Sequence, residues 1–174
     1  TIFIAFCALS EAKGMDINMK TAKRFGAVLA VVCMIVGCGV NPMLSIYDDD
    51  TRIASTLNTY NIMNCEQVQS DLHFMASVRK MEGMDTVWVF DAEEDTAVDI
   101  TYRINVSSGK MKLVWIDPEN EVSIIAECDS EMEDSVQETL HIKKGNNRIK
   151  IVAGENTQFD VDFTISHGGL KELG

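Results

Sequence analysis

From about residue 71 onward, apolar side chains recur at every second position. Leu72, Phe74, Ala76 and Val78 alternate with His73, Met75, Ser77 and Arg79. Val98, Ile100, Tyr102, Ile104 and Val106 alternate with Asp99, Thr101, Arg103 and Asn105, and Phe159, Val161, Phe163 and Ile165 with Asp160, Asp162 and Thr164. A period of two puts one set of side chains in a core and the other in water, so these are half-buried strands. Shorter and more continuously apolar runs at 86–90, 112–116, 122–126, 139–142 and 148–152 predict five more. Between them lie Ser107-Ser108-Gly109, Asp117-Pro118-Glu119-Asn120, Lys144-Gly145-Asn146-Asn147 and Gly154-Glu155-Asn156. These are residue types that tolerate positive φ or pre-set a turn. The expectation is an all-β fold: an antiparallel β-sandwich, jelly-roll or immunoglobulin-like, of about eight strands, spanning 71–166 with a tail at 167–174. Residues 51–70 read two ways. Ile53, Leu57 and Tyr60 mark a helix, or an edge strand runs through 59–63.

Upstream, the pattern changes. Met19-Lys20-Thr21-Ala22-Lys23-Arg24 is a basic opening, followed by the uncharged apolar run 25–36 and then Gly37-Cys38-Gly39. Basic flank, short apolar stretch and small residue are the parts of a secretory signal. A permanent transmembrane helix is the alternative, but it needs roughly 20 apolar residues, and Asn41-Pro42 ends this run first. Residues 1–18 read as an upstream extension without a function of its own.

Ile35-Val36-Gly37-Cys38 resembles the lipobox of bacterial membrane lipoproteins. The resemblance covers 19–38 and implies a diacylglyceryl group on the Cys38 sulfur. It also implies cleavage between Gly37 and Cys38, and placement on the extracytoplasmic face of a bacterial cell membrane. Residues 39–50, ending in Asp48-Asp49-Asp50, then read as a tether. A second resemblance is carried by Ile116-Asp117-Pro118 and by Leu140-His141-Ile142-Lys143-Lys144-Gly145-Asn146-Asn147-Arg148-Ile149. These stretches look like small sandwich domains of lipoproteins from Gram-positive bacteria and like jelly-roll carbohydrate-binding modules.

Charge sharpens this division. The 174 residues carry a formal net charge of −12. Up to Cys38 there are four Lys and Arg against two Asp and Glu, and afterwards eleven against twenty-five. A basic leader ahead of an acidic body fits a targeting segment. The absence of a basic block in the body argues against nucleic acid as a partner.

Candidate chemistry is sparse. His73, His141 and His167 have no His or Cys at metal-ligand spacing, and no nucleophile elbow, P-loop or zinc-protease motif is present. Cys7 and Cys33 fall in segments removed on maturation, which leaves Cys65 and Cys128 either as a disulfide or as two buried thiols. Asp91, Glu93 and Asp95 are the best-placed acidic group for calcium, the alternative being solvated surface charge. Trp88 and Trp115 lie in apolar strands and read as core, with sugar stacking as the alternative. The functional expectation is a lipid-anchored, non-catalytic binding or scaffolding module of the cell envelope, without a cofactor. Its partners are the membrane, through Cys38, and an envelope protein or glycan. A carbohydrate-binding jelly roll with a structural calcium is the first alternative, and a small envelope hydrolase the second.

Overall fold

A computed structural model describes Met43, residues 45–130 and residues 134–174. The signal segment, Gly37 and Cys38 lie outside the described residues. After a one-turn helix α1 (Asp50–Ile53) come β1 (Thr59–Gln69), β2 (His73–Ala92), β3 (Thr96–Ser108), β4 (Met111–Ile116), β5 (Val122–Cys128), β6 (Val136–Ile142), β7 (Gly145–Ile165) and β8 (Gly169–Leu170). All pairings are antiparallel. The fold is the expected all-β sandwich.

The strands form one hydrogen-bonded sheet that folds over on itself. Its first half has the order β1-β2-β7-β3-β6, using the N-terminal part of β2 and the C-terminal part of β7. In the second half the remaining parts of β2 and β7 pair with each other, and β4 and β5 follow beyond β7. Phe74, Val78, Ile100, Ile104, Phe159 and Phe163 from the first half meet Val87, Trp88, Met111, Leu113, Ile149 and Ile151 from the second in a single core.

Among the described residues eight strands occur, but not the eight read from the sequence. The runs at 72–78 and 86–90 are one strand, and so are those at 148–152 and 159–165. The Gly154-Glu155-Asn156 signal is a bulged bend instead of a reversal. The β2–β7 register slips between Val78 and Gly83, and Asn156 sits at φ 50°. Gly83, at φ +96°, faces Thr59 so closely that a Cβ would lie 2.1 Å from its carbonyl oxygen. Only glycine fits that position. The Asp117-Pro118 connection is a reversal as read, with Asn120 at φ 66° and the Asn120 N–H donating to the Asp117 carbonyl at 3.0 Å.

Two boundaries move. The sheet begins at Thr59, not 71, and the ambiguous stretch contains both α1 and β1. Residues 39–50 do not form a free tether throughout. Ile46, Tyr47, Ile53 and Ala54 are buried against Met84, Val114, Ile116 and Val152 on the outer face of the second half. Apolar outward positions on β2, β4 and β7 explain this, since a sheet with two apolar faces needs a cover on each.

This N-terminal strap is also held by cations. The Arg148 guanidinium donates to the Ala54 carbonyl at 2.8 Å and to Asn120 Oδ1 at 3.0 Å. Lys150, fully buried, donates to the carbonyls of Ser55 at 2.7 Å and Leu57 at 3.0 Å. The ring of Tyr47 lies under Lys110 and Lys112, 3.9 and 4.9 Å from its centroid, and its hydroxyl donates to Glu127 at 2.9 Å. Burial, reinforced by Arg148 and only partly offset by Asp85, lowers the Lys150 amine to about 8.

The C-terminal residues are not a loose tail. Gly169–Leu170 pairs with Trp88 and Val89, and Leu173 is buried in the core. The Trp88 indole N–H donates to the His167 carbonyl at 2.7 Å.

Gly168 sits at φ +91°, and a Cβ there would lie 2.3 Å from the Trp88 indole nitrogen, whereas at Gly169 nothing is nearer than 3.9 Å. Gly168→Ala is therefore expected to cost ~1–3 kcal/mol, read from the urea midpoint, with Gly169→Ala close to wild type. Lys150 titrates at about 8 folded against 10.5 unfolded. Between those values the unfolded chain holds a proton that the folded one has released, so this group makes stability rise with pH. Cys65 and Cys128 act in the opposite sense, because burial raises both thiols. Wild type minus Lys150→Met isolates the lysine: that difference in unfolding free energy should grow in favour of wild type from pH 8 to pH 10.

Candidate functional site

Among the described residues nothing covers the outer face of the first half, and a groove of about 510 Å³ crosses it. Strand pairing builds it in two rows. Val68 of β1 lies opposite Met75 of β2, which lies opposite Asp162 of β7, which lies opposite Arg103 of β3. One step along, Glu66, Ser77, Asp160 and Asn105 form the second row. All of these but Asn105, which is half-buried, are exposed.

On β2, β7 and β3 each residue stands here because its inward neighbour is core, whereas on β1 the Gln67 side chain exchanges hydrogen bonds with the Leu173 backbone. Phe74, Ala76, Val78, Ile104, Val106, Phe159, Val161 and Phe163 point into the sandwich, so the intervening residues point out. Beside the first row His73, two residues before Met75 on β2, places its Nε2 2.8 Å from Asp162 Oδ1. The face thus carries an apolar strip, Val68 and Met75, beside carboxylates, a carboxamide, a hydroxyl and a guanidinium. Such a set can accept and donate several hydrogen bonds to an extended polar ligand while packing against its apolar edge.

The side chains expected to carry chemistry lie elsewhere. Trp88 is fully buried, so its ring is not available for stacking. Trp115 is half-buried in the second half of the sheet and donates to Asn147 Oδ1 at 3.1 Å. Asp91, Glu93 and Asp95 do not converge into a calcium cage. Asp91 pairs with Asn146 at the end of β2, and the Asp95 carboxylate accepts the Lys144 N–H at 2.8 Å. Among the described residues no group of three or more His, Cys, Asp or Glu is placed to hold a metal. Cys65 and Cys128 are free thiols on β1 and β5, strands that do not pair with each other, so the disulfide is not formed.

A tight charged cluster does occur at the 117–121 turn. Lys143 Nζ lies 2.5 Å from Asp117 and 2.7 Å from Glu119. Burial would raise the Asp117 carboxyl, but the Lys143 hydrogen bond, followed by the Glu121 N–H, outweighs it and holds the group below the ordinary range. This cluster ties the β4–β5 turn to the segment after β6, and Lys143 also lines a cavity of about 340 Å³ with Asp95, Thr96 and His141.

No family model and no curated protein sequence matches the chain. Among solved structures, it is similar to a protein of Bacillus endospore appendages described as disulfide-linked pili (8% identity, TM-score 0.40, covering 67% of this chain and all of that one). It is also similar to a carbohydrate-binding module of Cellvibrio mixtus lichenase 5A in complex with cellotriose (10%, 0.38, 63% and 89%). A third is a family 35 carbohydrate-binding module from an environmental isolate (15%, 0.33, 66% and 82%). These values transfer neither a ligand nor a role. The fold described above rests on the strand pairing itself.

The sequence names every residue of the groove except Glu66 and Val68 as the outward half of an alternating strand. What it lacks is the order β1-β2-β7-β3, which sets residues from positions 66 to 162 side by side.

Proposed function

We propose that this chain is a lipid-anchored, non-catalytic binding module of a bacterial cell envelope, acylated at Cys38, with the groove over β1, β2, β7 and β3 as its binding face. The observation that carries the binding role is the pair of cross-strand rows, Val68-Met75-Asp162-Arg103 and Glu66-Ser77-Asp160-Asn105. The lipobox resemblance supports the anchor. Acyl chains on one residue bind stably when there are two or more, where a single chain is marginal.

For the ligand, the groove favours a glycan. A pyranose ring presents an apolar C–H face and an equatorial rim of hydroxyls. Val68 and Met75 suit the first, and Asp160, Asp162, Asn105 and Arg103 suit the second. A neighbouring envelope protein is the competing ligand, and the same groove residues would contact it.

Two measurements test this reading. The full chain expressed in a bacterial host should yield a membrane-extracted N-terminal peptide that begins at Cys38 and carries a diacylglyceryl group. Cys38→Ala should retain residues 19–37, and an unmodified wild-type chain would remove the anchor from the proposal. In a glycan array followed by titration of the best oligosaccharide, Arg103→Ala and Asp160→Ala should each weaken binding about tenfold or more, the loss of one charge-assisted hydrogen bond. Trp115→Ala should leave the affinity unchanged. Binding that survives both groove substitutions but fails in Trp115→Ala would move the site to the other half of the sheet.

A further inference from the structure

The exposed apolar side chains of this protein are concentrated on one edge. Among the described residues, six large hydrophobics are exposed: Leu57, Met63, Val68, Leu72, Met75 and Ile124. Leu57 lies two residues before β1, Met63 and Val68 lie on it, Leu72 follows it, and Met75 is the cross-strand partner of Val68. Only Ile124 is elsewhere, on β5.

β1 is also an edge in the strict sense. Among the described residues it is the terminal strand of its sheet, eleven residues long, and pairs only with β2. Its sequence, Thr59-Tyr60-Asn61-Ile62-Met63-Asn64-Cys65-Glu66-Gln67-Val68-Gln69, has one charge and no proline. Long free edges are ordinarily blunted by lysine, proline or shortness, because their unpaired N–H and C=O groups template another strand. In a chain of net charge −12, a nearly neutral, apolar edge is the place where two copies can approach with least repulsion.

The geometry narrows the pairing. Asn64, at φ 51°, bends β1 and leaves 65–69 as its straight limb. Antiparallel pairing of this limb with itself needs a two-fold axis through one residue. An axis at Glu66 sets two carboxylates face to face, which is unfavourable. An axis at Gln67 sets Glu66 opposite Val68 and Cys65 opposite Gln69, with no like charges opposed. It also brings the Val68-Met75 strips of the two copies together across the axis. The groove starts on β1, at Glu66 and Val68, so the two grooves would run on into each other.

We propose that the β1 edge is a homotypic interface: a second copy of this chain adds to the sheet antiparallel through 65–69, centred on Gln67, and joins two grooves into one. This does not depend on what the groove binds.

The test uses the full chain in mild detergent. Gln69→Cys places a thiol opposite Cys65 of the second copy, at the ~4.5–5.5 Å Cα separation of facing strand residues, which a disulfide can span. Within one chain the two positions are about 13 Å apart along the strand and cannot link. Oxidation by copper phenanthroline should give a covalent dimer whose linked peptides join position 69 to Cys65. Adding Cys65→Ser should remove that link, and adding Val68→Glu, which sets a carboxylate opposite Glu66 of the second copy, should reduce it about fivefold or more. Sedimentation of the wild type should show a concentration-dependent dimer that Val68→Glu weakens. A chain that stays monomeric, or one whose dimer links elsewhere and ignores Val68→Glu, would overturn the proposal.

Discussion

Everything in this fold depends on two strands being able to turn a corner without breaking. At 20 and 21 residues, β2 and β7 are each more than three times the length of an ordinary strand. A straight ribbon of that length would project from any core this chain can assemble. The bend at Gly83 and Gly154–Thr157 resolves the problem. There the backbones of β1 and β2 come together without room for a Cβ, and the surplus residues of β7 are taken up as a bulge. Thr157, buried at the bend, donates its hydroxyl to the Lys110 carbonyl at 3.0 Å, and Gly154 donates its N–H to the same oxygen at 2.9 Å. The bend folds one half-sheet over the other, and so creates a core between them, one outer face that is covered and one that is open.

The covered face shows how far tertiary packing overrides local character. Lys112, Arg148 and Lys150 alternate with core residues and would be surface cations on an isolated hairpin. Under the strap they are buried, and their cost is offset by backbone carbonyls and by the Tyr47 ring. The arrangement is not perfectly satisfied: the Arg148 Nε is buried without a partner. Because the carbonyls of Ala54, Ser55 and Leu57 belong to a short non-sheet segment, the cations fix that segment by its backbone and leave its side-chain identities relatively free.

Much of the fold was legible, because period-two patterning and turn chemistry are local properties. Phe74 to Val78, Val98 to Val106 and Phe159 to Ile165 read correctly as strands, and Asp117-Pro118 as a reversal. The failures share a cause. Whether Gly154-Glu155-Asn156 reverses the chain or merely bulges it depends on Lys110 and Glu82, which bond Gly154 and Asn156 and are distant in sequence. Likewise, Ile46 and Tyr47 read as part of a polar tether because the surface awaiting them is built from β2, β4 and β7. The groove is the extreme case. Its members were visible one by one as outward residues, whereas the adjacency that makes them a site exists only in the strand order. The tryptophans read as core first, as aromatic residues in apolar strands do, and Trp88 lies there.

The strap has a mechanical consequence. Tension arriving from the N-terminal side of Met43 meets the sandwich first through Tyr47 on β5 and through Ala54, Ser55 and Leu57 on β7. It does not begin by peeling β1 from the sheet edge. β7 is the same strand that carries Asp160 and Asp162 in the groove, and it is hydrogen-bonded along its length to β2, β3 and β4. Force between the two ends of such a strand acts in shear, so many ladder bonds must fail together instead of one after another. The strap therefore directs a pull into the most extensively bonded strand of the molecule.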